Sequence, residues 1–363
     1  MGTDRQPECE SLYLRPLGLT PRSGWAGGFV PLAGGPIGFA VCEVIRRAAS
    51  GAVNREILPV AALDETLRAR DPALAEAAAV RLDHLGRARP LLAGLPMDRP
   101  QVMGVVNVTP DSFSDGGDRF DPGRAIAGGL EMLASGAALL DVGGESTRPG
   151  AEPVPLDEEL RRVVPVVRGL AEQGAVVSID TRHARVMAEA LDAGAAVIND
   201  VTALAGDPES LGLAARAGVP VVLMHMQGEP RSMQADPTYD DVALDVFDSL
   251  AARVAACEAA GIDRARIVVD PGIGFGKTVR HNLEILEQLA IYHGLGCALL
   301  LGVSRKGFIA RVSGEVPPKA RLPGSLAAAL AGLERGVQLL RVHDVAETVQ
   351  ALAVWQAIAS ARP

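Results

Sequence analysis

Polar and charged side chains recur in this sequence at one kind of place, directly after a short apolar run. Asn107 follows the run at 102–106, Asp141 follows 137–140, Asp180 follows 176–179, and Asn199 with Asp200 follows 196–198. His225 ends 219–224, Asp270 ends 267–269, Ser304, Arg305 and Lys306 end 298–303, and Arg341 and His343 close 337–340. Arg341 and His343 are two residues apart, so in a strand both point to one face, where an Arg beside a His suits a phosphate. The amide oxygen of Asn107 can reach a ligand or a hard cation. Small residues, hydroxyls and one Arg in GGESTRPG at 143–150 fit an oxyanion or a carboxylate. The sequence shows no Ser/His/Asp set and no Cys nucleophile constellation.

Something must hold these groups together. Continuous apolar runs, unlike alternating ones, suit strands covered on both faces, as in a parallel sheet. Eight of them separated by helix-length segments predict an α/β fold of the (β/α)8 TIM-barrel kind, with its chemistry at the C-terminal strand ends. Helices are expected at 121–134, 156–172, 183–192, 208–217, 241–260, 282–289, 325–335 and 345–359. Gly136, Gly174, Gly194, Gly218 and Gly261 stand where a left-handed helix stop belongs. The barrel is expected over 99–363. Residues 1–98 read as an N-terminal extension, a small α/β or assembly element with no recognisable chemistry, and Asp71-Pro72 marks a helix start within its Ala-, Leu- and Arg-rich part at 64–87.

At 363 residues and 48% hydrophobic the chain can fill a large core, and with aromatics at 3% that core must be mostly Ala, Val and Leu. A net charge of −9 without any Lys/Arg-rich run argues against a nucleic-acid surface. The four cysteines have no metal-like spacing and suit reduced thiols. The start, MGTDRQPECE, lacks a signal pattern, and the apolar stretch at 29–44 is broken by Pro31 and Pro36. A cytoplasmic protein with no membrane association is the expectation.

The segments MGVVNVTPDSFSDGG, LDVGGESTRPGA, SIDT, VINDV, LMHMQGEPRSMQ, DPGIGFGKT, GVSRKGF and RVHDVAET, in that order across 101–362, resemble the dihydropteroate synthase (pterin-binding) family. The resemblance implies a transferase of folate biosynthesis. It would condense 6-hydroxymethyl-7,8-dihydropterin pyrophosphate with p-aminobenzoate to 7,8-dihydropteroate and pyrophosphate. It further implies Mg2+, two small-molecule substrates and a homodimer paired through the late helices.

By the same resemblance Asp180, Asn199, Asp270 and Lys306 line the pterin, with Met224 and Phe275 as walls. Asn107, Thr147, Arg341 and His343 meet the diphosphate, and Asn107 also touches the metal. Thr147, Arg148, Pro149, Phe275 and Ser304 hold the aminobenzoate, with the Lys306 stem beside it. Asp180, Arg341, His343 and Lys306 are the implied catalytic set. The residue types agree, since a carboxylate accepts paired N–H groups from a flat pterin edge and Lys or Asn meets its acceptors. A dissociative substitution follows, with charge spread on the pterin methylene and on the leaving diphosphate. Because DPGIGFG carries no insertion, sulfonamides are expected to compete with p-aminobenzoate.

Three other readings are weaker. Gly272, Gly274 and Gly276 lack the spacing of a dinucleotide loop. A pterin-dependent methyltransferase would not need the NVTPDSFSDGG and ESTRPG loops, and a non-catalytic paralogue would not need the whole polar set. His84, His183, His281 and His293 read as surface or packing residues, and His225 as structural. Gly307 stands where a small hydroxyl residue is the family pattern.

Overall fold

The computed structural model describes residues 11–21, 28–108, 121–146, 153–229 and 232–361. The extension comes first. β1 (Ser11–Leu17), β2 (Thr20–Pro21), β3 (Val30–Pro31), β4 (Ile37–Phe39), β5 (Val41–Arg47) and β6 (Val53–Pro59) form two antiparallel sheets, ordered β1-β5-β6 and β2-β4-β3. The period of two along β1 and β5 gives the first sheet two apolar faces. Leu12, Leu14, Cys42 and Val44 pack with Leu63, Leu67, Ala75 and Ala78 of α1 (Val60–Arg68) and α2 (Pro72–Gly86). Tyr13 and Ile45, opposite each other in register, instead join the main barrel core. The helical stretch foreseen at 64–87 is two helices, because Asp71 accepts from the Ala73 amide at 2.9 Å and starts a new one at Pro72.

Eight parallel strands then close into a barrel: β7 (Gln101–Asn107), β8 (Leu139–Gly143), β9 (Val177–Asp180), β10 (Val197–Asp200), β11 (Val221–Met224), β12 (Ile267–Asp270), β13 (Ala298–Leu301) and β14 (Leu339–Val342). The helices between them are α3 (Pro122–Ala134), α4 (Leu156–Ala171), α5 (Ala184–Asp192), α6 (Ser210–Ala217), α7 (Val242–Ala259), α8 (Val279–Glu287), α9 (Gly307–Ser313) and α10 (Leu322–Leu333), with α11 (Val345–Ser360) last. All five foreseen glycine stops have positive φ, from +68° at Gly218 to +107° at Gly194. Some helix bounds shift: α6 begins at Ser210 rather than 208, and α10 spans Leu322–Leu333 rather than 325–335. α8 begins at Val279 rather than 282, because Thr278 and His281 form a capping box there. α9, directly after Lys306, was not foreseen; it is too short to show a helical period.

The barrel interior is layered. Met103, Leu139, Val197, Val222, Val268, Leu300 and Leu339 form one apolar layer, plugged from below by Leu92 and Met97 of the connecting segment. Two residues further along the same strands stand Asp141, Asn199, Met224, Asp270, Gly302 and Arg341, so the inward face turns from apolar to polar toward the C-terminal ends. Register lines up Asn107 with Gly143, Gly143 with Asp180, and Asp180 with Asn199. Asp141 therefore lies inside β8 rather than at its end.

Candidate active site

Arg341 is the hub of the polar layer. Its Nε donates to Asp141 Oδ2 at 2.6 Å and its Nη2 to Asp180 Oδ2 at 2.6 Å. Asn199 Nδ2 donates to the same Asp141 oxygen at 3.0 Å. Asp141 is wholly buried and its Oδ1 has no partner among the described residues. Glycines keep space open around these groups. A Cβ on Gly143 would stand 3.5 Å from Asp180 Oδ2, and one on Gly302 would stand 3.9 Å from Asp270 Oδ2 and 4.0 Å from Arg341 Cβ.

On the opposite side of the mouth Asp270 is buried, and its Oδ1 accepts the Gly272 amide at 2.7 Å. The turn that follows, 271–276, brings Phe275 under Lys306, whose Nζ lies 4.1 Å from the ring centroid. Lys277 closes this turn from below. Only 2% exposed, its Nζ reaches His225 Nδ1 at 2.9 Å, Gly272 O and Phe275 O at 3.0 Å, and His225 O at 3.3 Å. After β13, Arg305 has φ +58°, and its guanidinium turns away to Asp344. Ser304 and Lys306 remain at the mouth, and Ser304 Oγ lies 3.0 Å from His343 Nδ1.

Burial sets the electrostatics. It pushes the Asp180 carboxyl up to about 7 against the pull of Arg341, and the carboxylates of Asp141, Asp200 and Glu159 push the same way. Asp270 is raised by burial too, opposed by the Gly272 amide and by Lys306 and Arg341. Burial likewise brings Lys277 down to about 7, with Asp270 opposing, and brings His225 down to about 3 with the help of Lys277. A neutral His225 can thus accept through Nδ1 from Lys277. Arg341 stays protonated, because Asp141 and Asp180 outweigh its burial.

A sequence model of the family described as "Pterin binding enzyme" matches residues 103–343. The dihydropteroate synthase of Escherichia coli (strain K12) is 46% identical over 269 residues, covering 74% of this chain and 95% of the relative. The chain belongs to the dihydropteroate synthases, a branch of the pterin-binding enzymes. Among solved structures, the Xanthomonas albilineans dihydropteroate synthase with 4-aminobenzoic acid is 50% identical, with TM-score 0.72, covering 76% of this chain and 100% of that one. The Yersinia pestis dihydropteroate synthase in a sulfonamide drug complex is 46% identical, with TM-score 0.71, covering 75% of this chain and 100% of that one.

For a dihydropteroate synthase, the polar layer gathers most residues singled out by sequence. Asp180, Asn199, Asp270, Lys306, Phe275, Ser304, Arg341 and His343 surround one end of the barrel. Met224 lines its wall below Gly272, where an added Cβ would stand 3.3 Å from Met224 Cγ. Asn107 ends β7 beside Gly143. Thr147, Arg148 and Pro149 lie outside the described residues. Two contributors were not singled out as site residues. Asp141 had a signal, since it follows an apolar run just as Asp180 does. Lys277 had none, because a lysine inside a glycine-rich turn reads as exposed. His183 corrects the expectation of a lone histidine: its Nδ1 lies 2.8 Å from the buried carboxylate of Glu159, which raises its pKa. His225, read as structural, is buried and held from Nδ1 by Lys277.

Proposed function

We propose that this chain condenses 6-hydroxymethyl-7,8-dihydropterin pyrophosphate with p-aminobenzoate by dissociative substitution, using the polar layer at the barrel mouth. The observation that carries this reading is the cluster of Asp141, Asp180 and Asn199 around Arg341, facing Asp270 and Lys306 across bare Gly302. Such a pocket offers carboxylates to the N–H edge of a pterin, and an amide and an ammonium to its acceptors. Asp180, Asn199, Asp270 and Lys306 hold the heterocycle, with Met224 and Phe275 as walls.

As the bond to the diphosphate breaks, Arg341 and His343 take up the negative charge that grows on the leaving group. Asp180 lies beside the methylene, where its carboxylate offsets the developing positive charge. The amine of p-aminobenzoate then attacks, held near Phe275, Ser304 and the Lys306 stem, with Thr147, Arg148 and Pro149 from the loop after β8. No group of three or more His, Cys, Asp or Glu able to hold a metal occurs among the described residues. The donor set instead suits a magnesium ion held by the Asn107 amide oxygen and by oxygens of the substrate's own diphosphate. Such an ion would neutralise charge on the leaving group.

Two copies pairing through α10 and α11 are part of this reading. A groove of about 910 Å3 between these helices (Leu326, Leu330, Val354, Ile358) and segment 15–21 of the extension leaves apolar side chains open for it, and sedimentation tests it. A cytoplasmic location fits the buried free thiols of Cys42, Cys257 and Cys297. Incubation of the purified protein with both substrates, following pyrophosphate release, tests the reaction. Release that needs p-aminobenzoate is expected; none with both substrates present overturns the reading.

A further inference from the structure

The N-terminal extension lies outside the 103–343 match, yet it grips the barrel at one particular place. Arg47 at the end of β5 bridges Asp245, 2.5 Å away, and Asp248 in the first turns of α7; Tyr13 Oη on β1 donates to Asp248 Oδ2 at 2.8 Å. Arg55 of β6 donates to Asp241 Oδ2 at 2.5 Å. The Tyr13 ring meets Phe247 of α7 edge-on, with centroids 5.3 Å apart. Two of these three carboxylates, Asp241 and Asp245, also accept from the amides where the helix starts. Asp241 Oδ1 accepts from the amides of Ala243 and Leu244, and Asp245 Oδ2 accepts from Asp240 and Asp241.

The chain entering α7 runs straight to the turn at the mouth. Tyr239 Oη donates to Gly276 O at 2.7 Å, and Gln234 Nε2 donates to Gly274 O at 2.7 Å. Gly274 packs on the Lys306 stem, where an added Cβ would stand 3.3 Å from Cδ, and Phe275 lies beneath the Lys306 ammonium. Arg47 and Arg55 are thus joined to Phe275 and Lys306 through ion pairs at the start of α7, the backbone leading into it, and the hydrogen bonds of Tyr239 and Gln234 to the turn.

We propose that Arg47 and Arg55 are positioning residues for the reaction, and that the extension fixes the start of α7 so that the 271–276 turn holds the aminobenzoate end of the pocket. The diphosphate groups, Arg341 and His343, stand on and just after β14, away from this linkage. Loss of the clamp should therefore raise KM for p-aminobenzoate about 3- to 10-fold while kcat stays within about twofold, the range of a few partly exposed ion pairs.

The test is Arg47→Ala with Arg55→Ala, beside Arg68→Ala as an exposed control ion pair of the same extension. The KM effect rests on the function proposed above; a second readout does not. Hydrogen exchange at the amides of Gly272, Gly274 and Phe275 should speed up in the double variant and not in the control. A KM rise with faster exchange in the turn supports the linkage. Unchanged exchange there overturns it, and so does a fall in kcat without a change in KM. Faster exchange with no activity in any form, wild type included, keeps the linkage and removes the functional reading instead. If the double variant does not fold, Arg47→Lys with Arg55→Lys is measured. Its KM should then rise more steeply with salt, between about 0.05 M and about 0.5 M, than that of the control, and a parallel salt response overturns the proposal.

Discussion

Arg341 on β14 and Asp180 on β9 meet at 2.6 Å although β7 and β8 lie between their strands. The contact reaches across the barrel mouth, and Asp141 of β8 holds the same guanidinium from beneath. One cation thus serves two carboxylates, the wholly buried Asp141 and the largely buried Asp180, and either one left alone would carry an uncompensated charge. In the proposed reading the residue that receives the leaving diphosphate also holds the pterin-side carboxylate in place, so the two halves of that reaction would share a group.

Asp180→Asn and Arg341→Ala should each lower turnover at least ~100-fold, as single-donor losses at charged transition states do. Steady-state kinetics of both variants, with circular dichroism as a check on folding, decides this. Near-normal turnover in both would remove the charge-stabilising mechanism.

A pH dependence follows from Asp180. Its carboxyl is raised to about 7 by burial, so the N–H-accepting carboxylate is present above that pH and lost below it. The kcat/KM for the pterin substrate should fall about tenfold per unit as pH drops below about 7, and Asp180→Asn should lack this limb. Stability runs the other way. The raised pKa means that the contribution of Asp180 is full below its ordinary 3.8 and is lost as pH rises toward 7. A flat kcat/KM between about pH 5 and 8 would sink the assignment.

Gly272 and Gly276 make a prediction of a different kind. Both have positive φ, and an added Cβ would stand 1.9 Å from His225 O at Gly272 and 2.3 Å from Gln227 O at Gly276. Backbone cannot yield that far cheaply, so Gly272→Ala and Gly276→Ala should each cost roughly 1–3 kcal/mol and loosen the turn that carries Phe275. Gly307→Ser, by contrast, meets open space and should leave stability within about 0.5 kcal/mol of the parent. Urea unfolding of all three checks the ranking; equal stabilities would show that the turn is softer than its contacts suggest.

The barrel was legible because burial on both faces leaves a direct trace in sequence, an unbroken apolar run, and because each run stops at or near the residue that enters the polar layer. Asp180, Asp270 and Arg341 could be picked out for that reason. What the pattern could not carry was contact between distant strands. Nothing local to Asp141 says that it holds Arg341, and nothing in GFGKT says that Lys277 points inward to three carbonyls and an imidazole. The extension was opaque for a related reason: its ion pairs reach Asp241, Asp245 and Asp248, 186 to 201 residues away, and nothing local to Arg47 or Arg55 marks those partners.

Sulfonamides supply the last prediction. Their arylamine end mimics p-aminobenzoate, and in the proposed reading the slot for that ring is bounded by Phe275, Ser304 and the Lys306 stem. Phe275 also lies beneath the Lys306 ammonium, 4.1 Å from the ring centroid, so its ring and the Lys306 stem stand together at that slot. A sulfonamide should therefore raise the apparent KM for p-aminobenzoate and leave the maximal rate unchanged, and Phe275→Ala should weaken the drug and p-aminobenzoate alike. Shifting the drug without the substrate would mean that the two occupy different walls of the pocket. Undiminished activity under millimolar sulfonamide at low p-aminobenzoate would show that sulfonamides do not compete for this slot.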